Sequence, residues 1–244
     1  MRLITLLFIL SCTTLFSQNP TATDILNKVD KNMASESRIF TSKMIINGKR
    51  GTRTIESKSW SKGENNAFTE YLSPARETGT KMLKLEDKLW IYSPATDRII
   101  QISGHMLRQS VMGSDLSYED MMSDAKLTDK YNAKVLKTEV FDNRSCWVLE
   151  LIAKVEDVAY YKRMIWIDKE RFIPLKEELF AKSGKLLKQT TLSDVVKIEG
   201  RWFPRKIVYK DMLKEGDGTE FIITDIQFNA LIPDYILSKA SLKK

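Results

Sequence analysis

From residue 38 onward, apolar and polar side chains alternate in short runs divided by turn residues, the period-two pattern of strands with one buried face. Residues 38–47 end at Asn47-Gly48, a strong hairpin signal, and 52–61 answer them. Strands follow over 66–73, 80–86, 88–93 and 98–103. The second half repeats the pattern over 131–140, 145–155, 160–168, 174–182, 185–196, 202–211 and 218–229. Turns fall at Asp142-Asn143, Asp168-Lys169-Glu170, Ser183-Gly184, Glu199-Gly200 and Gly216-Asp217-Gly218. Recurrence every 10–15 residues predicts a mainly β chain, a single antiparallel sheet of about 11 strands in one domain over 18–244.

Two segments break the alternation. Thr21 and Asp24 have capping-box spacing, and Ile25, Leu26, Val29 and Met33 recur on one helical face, predicting a helix over 22–34. Between Gly104 and Asp129 the period changes again, and Ser114 or Ser117 can cap a helix over 114–122. Asp115, Glu119 and Asp120 read as the solvated, dipole-favoured start of that helix and lack the spacing of a calcium loop.

Alternation also sorts the faces. Trp147, Leu149 and Leu151 share one face of 145–153, Trp90 and Tyr92 one face of 88–93, and Ile222, Ile226 and Phe228 one face of 218–229. A sheet with so apolar a face must curl round it or be covered. Two helices cover little area, so a curved sheet with a partial lid encloses a groove for an apolar ligand, whereas a packed barrel or sandwich core is the alternative. Methionines gather around 106–122, where flexible thioethers suit a surface that moulds to apolar partners.

The amino terminus adds a compartment. Arg2 followed by Leu3-Ile4-Thr5-Leu6-Leu7-Phe8-Ile9-Leu10 predicts a signal peptide over 1–17, too short for a span of roughly 20 residues. Lipidation at Cys12 is the competing reading. The formal charge of +7 is spread along the chain rather than gathered, which in an exported protein argues against nucleic acid and allows transient contact with anionic lipid. Without Cys12, Cys146 stands alone in an apolar strand and reads as a buried, inert thiol.

Catalytic chemistry is sparse. His105 is the only histidine, where nucleophilic triads and zinc sites want one or several. It reads as an exposed loop residue. No phosphate-cradling glycine loop or CxxC is present, so neither an enzyme, a cofactor nor a metal is expected.

The runs Leu89-Trp90-Ile91-Tyr92-Ser93-Pro94, Arg98-Ile99-Ile100-Gln101-Ile102-Ser103 and Met112-Gly113-Ser114-Asp115-Leu116-Ser117-Tyr118-Glu119-Asp120 resemble the outer-membrane lipoprotein-sorting family, relatives of the LolA and LolB carriers. The resemblance extends in weaker form over about 21–230. It implies a strongly curved, incomplete (half-open) β-barrel with helices as a lid, an apolar cavity for acyl chains, and work in the periplasm beside an inner-membrane transporter. Arg38 and Arg53 are early-strand arginines, but neither sits in a motif that carries a family role. The resulting expectation is a monomeric, non-enzymatic periplasmic carrier of lipoprotein acyl chains or another lipid. Its expected cavity wall is Trp60, Trp90, Tyr92, Trp147, Leu149, Leu151, Met164 and Trp166, and its lid is Met112, Leu116, Met121 and Met122. The rival is a β-scaffold that docks on an exporter or envelope complex, and a hydrolase with a spatial carboxylate pair is a third class.

Overall fold

A computed structural model describes residues 20–48, 51–122 and 126–243. The expected signal peptide and Cys12 lie outside the described residues. Helix α1 (Ala22–Met33) begins on the expected capping box. Thr21 Oγ1 accepts from the Asp24 amide at 3.1 Å, and Asp24 Oδ2 accepts from the Thr21 amide at 3.2 Å. Its buried face is Ala22, Ile25, Leu26 and Val29.

Strands β1 (Ser37–Gly48), β2 (Gly51–Lys62), β3 (Asn66–Ser73), β4 (Lys81–Leu85), β5 (Lys88–Ser93) and β6 (Arg98–Ile102) form a first meander. After two 3₁₀ turns and the short helices α2 (Tyr118–Met122) and α3 (Leu127–Lys130), the second meander comprises β7 (Tyr131–Phe141), β8 (Arg144–Ala153), β9 (Lys162–Asp168), β10 (Pro174–Phe180), β11 (Leu186–Ile198), β12 (Arg201–Asp211) and β13 (Thr219–Phe228). Each of the thirteen segments read as strands is one, and all of them join a single sheet, so the expected count of about 11 was low.

The strand order is β6-β5-β4-β3-β2-β1-β13-β12-β11-β10-β9-β8-β7. The meanders are joined by antiparallel pairing of β1 with β13, Met44 opposite Phe221 and Phe40 opposite Ile226. The sheet curves without closing, and its edges are β6 and β7. These edges are consecutive in sequence, so residues 103–130 must travel from one edge to the other. That crossing segment is the lid. Its helical content is smaller than expected, with α2 only five residues long. Ser114 instead folds the chain tightly, its hydroxyl accepting from the Leu116 amide at 3.2 Å.

Three covers bury the apolar sheet surface. Helix α1 packs on Leu149, Leu151, Ile165 and Ile167 of β8 and β9. Met106, Leu107, Tyr118, Met121 and Met122 of the crossing segment pack on Met82, Leu89 and Ile102 of β4, β5 and β6. On the other face, Ile236, Leu237 and Leu242 of the carboxy-terminal segment pack on Phe68, Leu83 and Trp90. Burial of such side chains contributes about 1.5–3 kcal/mol each.

Candidate functional site

Beneath the lid, the concave face of the first meander carries a cavity of about 230 Å³. Cross-strand pairing places Met44 of β1, Ile55 of β2 and Phe221 of β13 on this face, with Tyr71 of β3 and Met82 of β4 alongside. Val111, Leu116 and Met121 close it from above.

The floor is made of small side chains. Ser57, Ser59 and Ser61 occupy every second position of β2, so all three point inward while Lys58 and Trp60 point away. Short side chains on an inner face leave room that large ones would fill. Their hydroxyls are engaged: Ser57 with Ser42 at 3.0 Å, Ser59 with Thr69 at 2.9 Å, and Ser61 accepting from Arg38 Nε at 3.0 Å. The surface exposed to the hollow is therefore largely carbon.

A second hollow of about 360 Å³ adjoins the first, and Arg38, Phe40, Glu64 and Phe221 line both. It runs between the carboxy-terminal end of α1 (Asp30, Met33) and Phe203, Ile207, Ile223 and Ile226 of β12 and β13. The two together make a furrow in the size range of small-molecule sites, roughly 300–1,000 Å³.

The lid is clamped by polar contacts. Asp115 accepts from the Asp211 amide at 3.0 Å and from Thr219 Oγ1 at 2.8 Å, while its own amide donates to Thr219 Oγ1 at 3.0 Å. Lys214 Nζ donates to the Ser114 carbonyl at 2.7 Å, and Arg53 Nη2 donates to the Met112 carbonyl. Ser117 and Asp120 form a second capping box, in which Asp120 Oδ2 accepts from the Ser117 amide at 2.7 Å. Asp120 also pairs with Lys188 of β11 and accepts from Tyr160 Oη at 2.5 Å. Burial resists ionisation of Asp120, but the Lys188 charge, its hydrogen bond and those from Tyr160 and Ser117 outweigh it and hold the carboxyl below the usual carboxylate range. Burial and the Asp120 charge push the Tyr160 hydroxyl up. Asp115 and Asp120 are thus buried anchors rather than a solvated helix start, because the lid segment packs down on the β11–β13 end of the sheet. Beyond this clamp, Tyr160, Lys188, Leu187 and Leu213 line a more polar hollow of about 350 Å³.

The expected site residues divide. In the lid, Leu116 and Met121 line the cavity, Met112 packs behind Met44 and Ile55, and Met122 packs on β4–β6. None of the eight expected wall residues lines either hollow of the furrow. Trp60, Trp90 and Tyr92 alternate to the opposite face and pack beneath the carboxy-terminal segment. Trp147, Leu149 and Leu151 lie on the concave side but are covered by α1, Trp147 also meeting Phe172 at 5.3 Å between ring centroids. Met164 and Trp166 turn to the face opposite Ile165 and join Cys146 and Val148. The physical reason is which surface is covered: these side chains sit under α1, under the carboxy-terminal segment or on the opposite face, whereas the part of the concave face that carries the β2 serines is left open beneath the crossing segment. The alternating serines of β2 are the sequence signal that marks the floor of this hollow.

His105 is exposed, and Cys146 is fully buried, with burial and the nearby Asp168 charge pushing its thiol up to about 11. Among the described residues, no group of three or more His, Cys, Asp or Glu side chains is placed to hold a metal ion.

An open, strongly curved antiparallel sheet whose two edges are bridged by a lid over an apolar hollow is the architecture of the LolA superfamily. Three solved structures share it. A putative outer membrane lipoprotein-sorting protein domain from Vibrio parahaemolyticus is 26% identical with a TM-score of 0.79, over 90% of this chain and 98% of that one. A DUF1329 family protein from Desulfovibrio piger is 25% identical with a TM-score of 0.82, over 90% and 96%. A LolA superfamily protein from Nitrosomonas europaea is 27% identical with a TM-score of 0.76, over 91% and 100%. Residues 63–244 match the family described as "Uncharacterized protein", and the chain belongs to that family. No curated protein matches the chain.

Proposed function

We propose that the protein is a periplasmic carrier that holds an acyl chain of a lipoprotein or lipid in the furrow under the lid. The observation that carries this reading is the apolar hollow between the serine floor and Leu116 and Met121. Burying methylene groups there contributes about 0.8 kcal/mol each without specific chemistry, which suits cargo that must later be released. The similarity to a lipoprotein-sorting domain supports the cargo class, and the apolar amino terminus supports export. No helix of the described residues is long and apolar enough to cross a membrane. A transporter in the inner membrane is the proposed donor, met by a monomer in transient contact with the bilayer. The scaffold reading predicts a filled interior, so the hollow weighs against it. Native mass spectrometry of the protein recovered from periplasm, together with uptake of a fluorescent fatty acid from micelles, tests the proposal. Absence of both co-purified lipid and uptake would sink it.

A further inference from the structure

Arg38, Phe40, Glu64 and Phe221 line both hollows, so they mark where the two meet. Arg38 is half-buried there, and one of its nitrogens is tied down: Nε donates to Ser61 Oγ at 3.0 Å, with the Phe40 ring centre 5.9 Å from Cζ. Among the described residues, no carboxylate pairs with Arg38 and neither of its Nη groups has a hydrogen-bond partner. The half-buried Arg144, Arg163, Arg171 and Arg205 each meet an acid. The free nitrogens of Arg38 are also not sealed in. Arg163 Nε is buried without a partner, whereas both Arg38 Nη groups keep accessible surface. Glu64 does not pair with Arg38; its charge acts on Asp30 at the α1 end, where Lys126 opposes it. A cation partly withdrawn from water without a counter-charge is destabilised, and an anion brought to it relieves that cost. On either side the walls are carbon, from Met44, Ile55 and Leu116 in one hollow and Met33, Ile223 and Ile226 in the other.

We propose that Arg38 seats an anionic head of the cargo, a carboxylate or a phosphate, with the acyl chain running from it along the carbon walls. The inference rests on the carrier reading above and adds the position and head chemistry of the cargo. A guanidinium presents its donors as a planar fork that matches the paired oxygens of either anion. Because Ser61 already holds Nε, little side-chain freedom is lost when the two Nη groups bind. An ammonium head would meet Arg38 with like charge, and an alcohol head would leave its charge unanswered. Burial of the chain supplies affinity, and the arginine decides which end of the chain stops at the junction of the hollows.

The test compares heads on one chain length, by competition of dodecanoate, dodecyl phosphate, dodecanol and dodecylamine with a fluorescent acyl probe. At least one of the two anions is expected to bind about tenfold tighter than dodecanol, the worth of one charge-assisted contact. Arg38→Gln and, independently, Arg38→Met should each bring that ratio toward one and leave dodecanol affinity unchanged, with thermal midpoints showing which variants fold. Arg38→Lys, which keeps the charge without the fork, should recover part of the preference. A preference for dodecanoate alone supports the proposal with a free fatty acid as source, and one for dodecyl phosphate alone supports it with a phospholipid. Equal affinities for anions and dodecanol, tighter binding of dodecylamine, or an anion preference that survives in a folded Gln or Met variant overturns the proposal while leaving the carrier reading intact. Failure of every probe to bind overturns both.

Discussion

Asp120 of the lid and Lys188 of β11, 68 residues apart in sequence, form an ion pair that ties the lid to the far half of the sheet. The pair is largely buried and Asp120 takes further hydrogen bonds from Tyr160 and Ser117. Because the Asp120 carboxyl is held below its usual range, its contribution to stability is complete above the unfolded carboxylate value of about 4 and is lost as pH falls through the lower folded value. Asp120→Asn should cost about 2–3 kcal/mol at neutral pH. It should also flatten the acid limb of the thermal midpoint plotted against pH, and a limb unchanged by the substitution would remove Asp120 as its source.

The serine floor predicts how the hollow is closed. In the double variant Ser59→Leu, Thr69→Val, the hydroxyl pair is replaced together, so no buried partner is orphaned, and the added carbon occupies the cavity. Affinity for a dodecyl-chain ligand should fall about tenfold or more, since each displaced methylene contact is worth about 0.8 kcal/mol. Displacement fluorimetry beside a thermal melt separates lost binding from lost fold.

Trp90 should behave differently. It is 7% exposed, on the face away from the cavity, with Lys239 Nζ 4.2 Å from its ring centre. Trp90→Ala is expected to cost about 3–5 kcal/mol while leaving acyl affinity of the folded protein unchanged. Removing residues 236–243 strips Ile236, Leu237 and Leu242 from the same cluster and should likewise lower the midpoint without weakening the ligand.

At the other lid anchor, Asp115→Ala leaves the Asp211 amide and the fully buried Thr219 hydroxyl without their acceptor, an expected loss of about 2–4 kcal/mol in chemical denaturation. Gly218→Ala should be destabilising by about 1–3 kcal/mol on two counts. Its φ of +91° disfavours any side chain, and a Cβ there collides with the Tyr209 carbonyl. A neutral result for Gly218→Ala would mean that the β12–β13 hairpin relaxes away from the lid.

Cys146 offers a probe of global opening. With its thiol pushed up to about 11 and fully buried, it should resist thiol reagents at pH 8 in the native state and react at the rate of an ordinary cysteine in denaturant. Rapid native labelling would place the β8 core in a fast-opening unit.

By itself, the sequence determined the strands, their turns, the capped start of α1 and the mainly β architecture. These follow from local period and local hydrogen bonding, as at Thr21 and Asp24 or Asn47-Gly48. It also placed Leu116 and Met121 in the segment where the alternation breaks, and that segment crosses over the sheet and lines the hollow. Tertiary structure alone decided which side of the sheet became the hollow. Alternation in β2 separates Ser57, Ser59 and Ser61 from Trp60, but period two carries no sign of curvature, and both faces of the sheet bear large apolar residues. The covers supplied that sign: α1 claimed Leu149 and Leu151, the carboxy-terminal segment claimed Trp60 and Trp90, and the lid was left to span the serines. Equally non-local are the lid anchors, since Asp115 meets Thr219 of β13 and Asp120 meets Lys188 of β11 only once the crossing segment folds over the interior strands of the second meander.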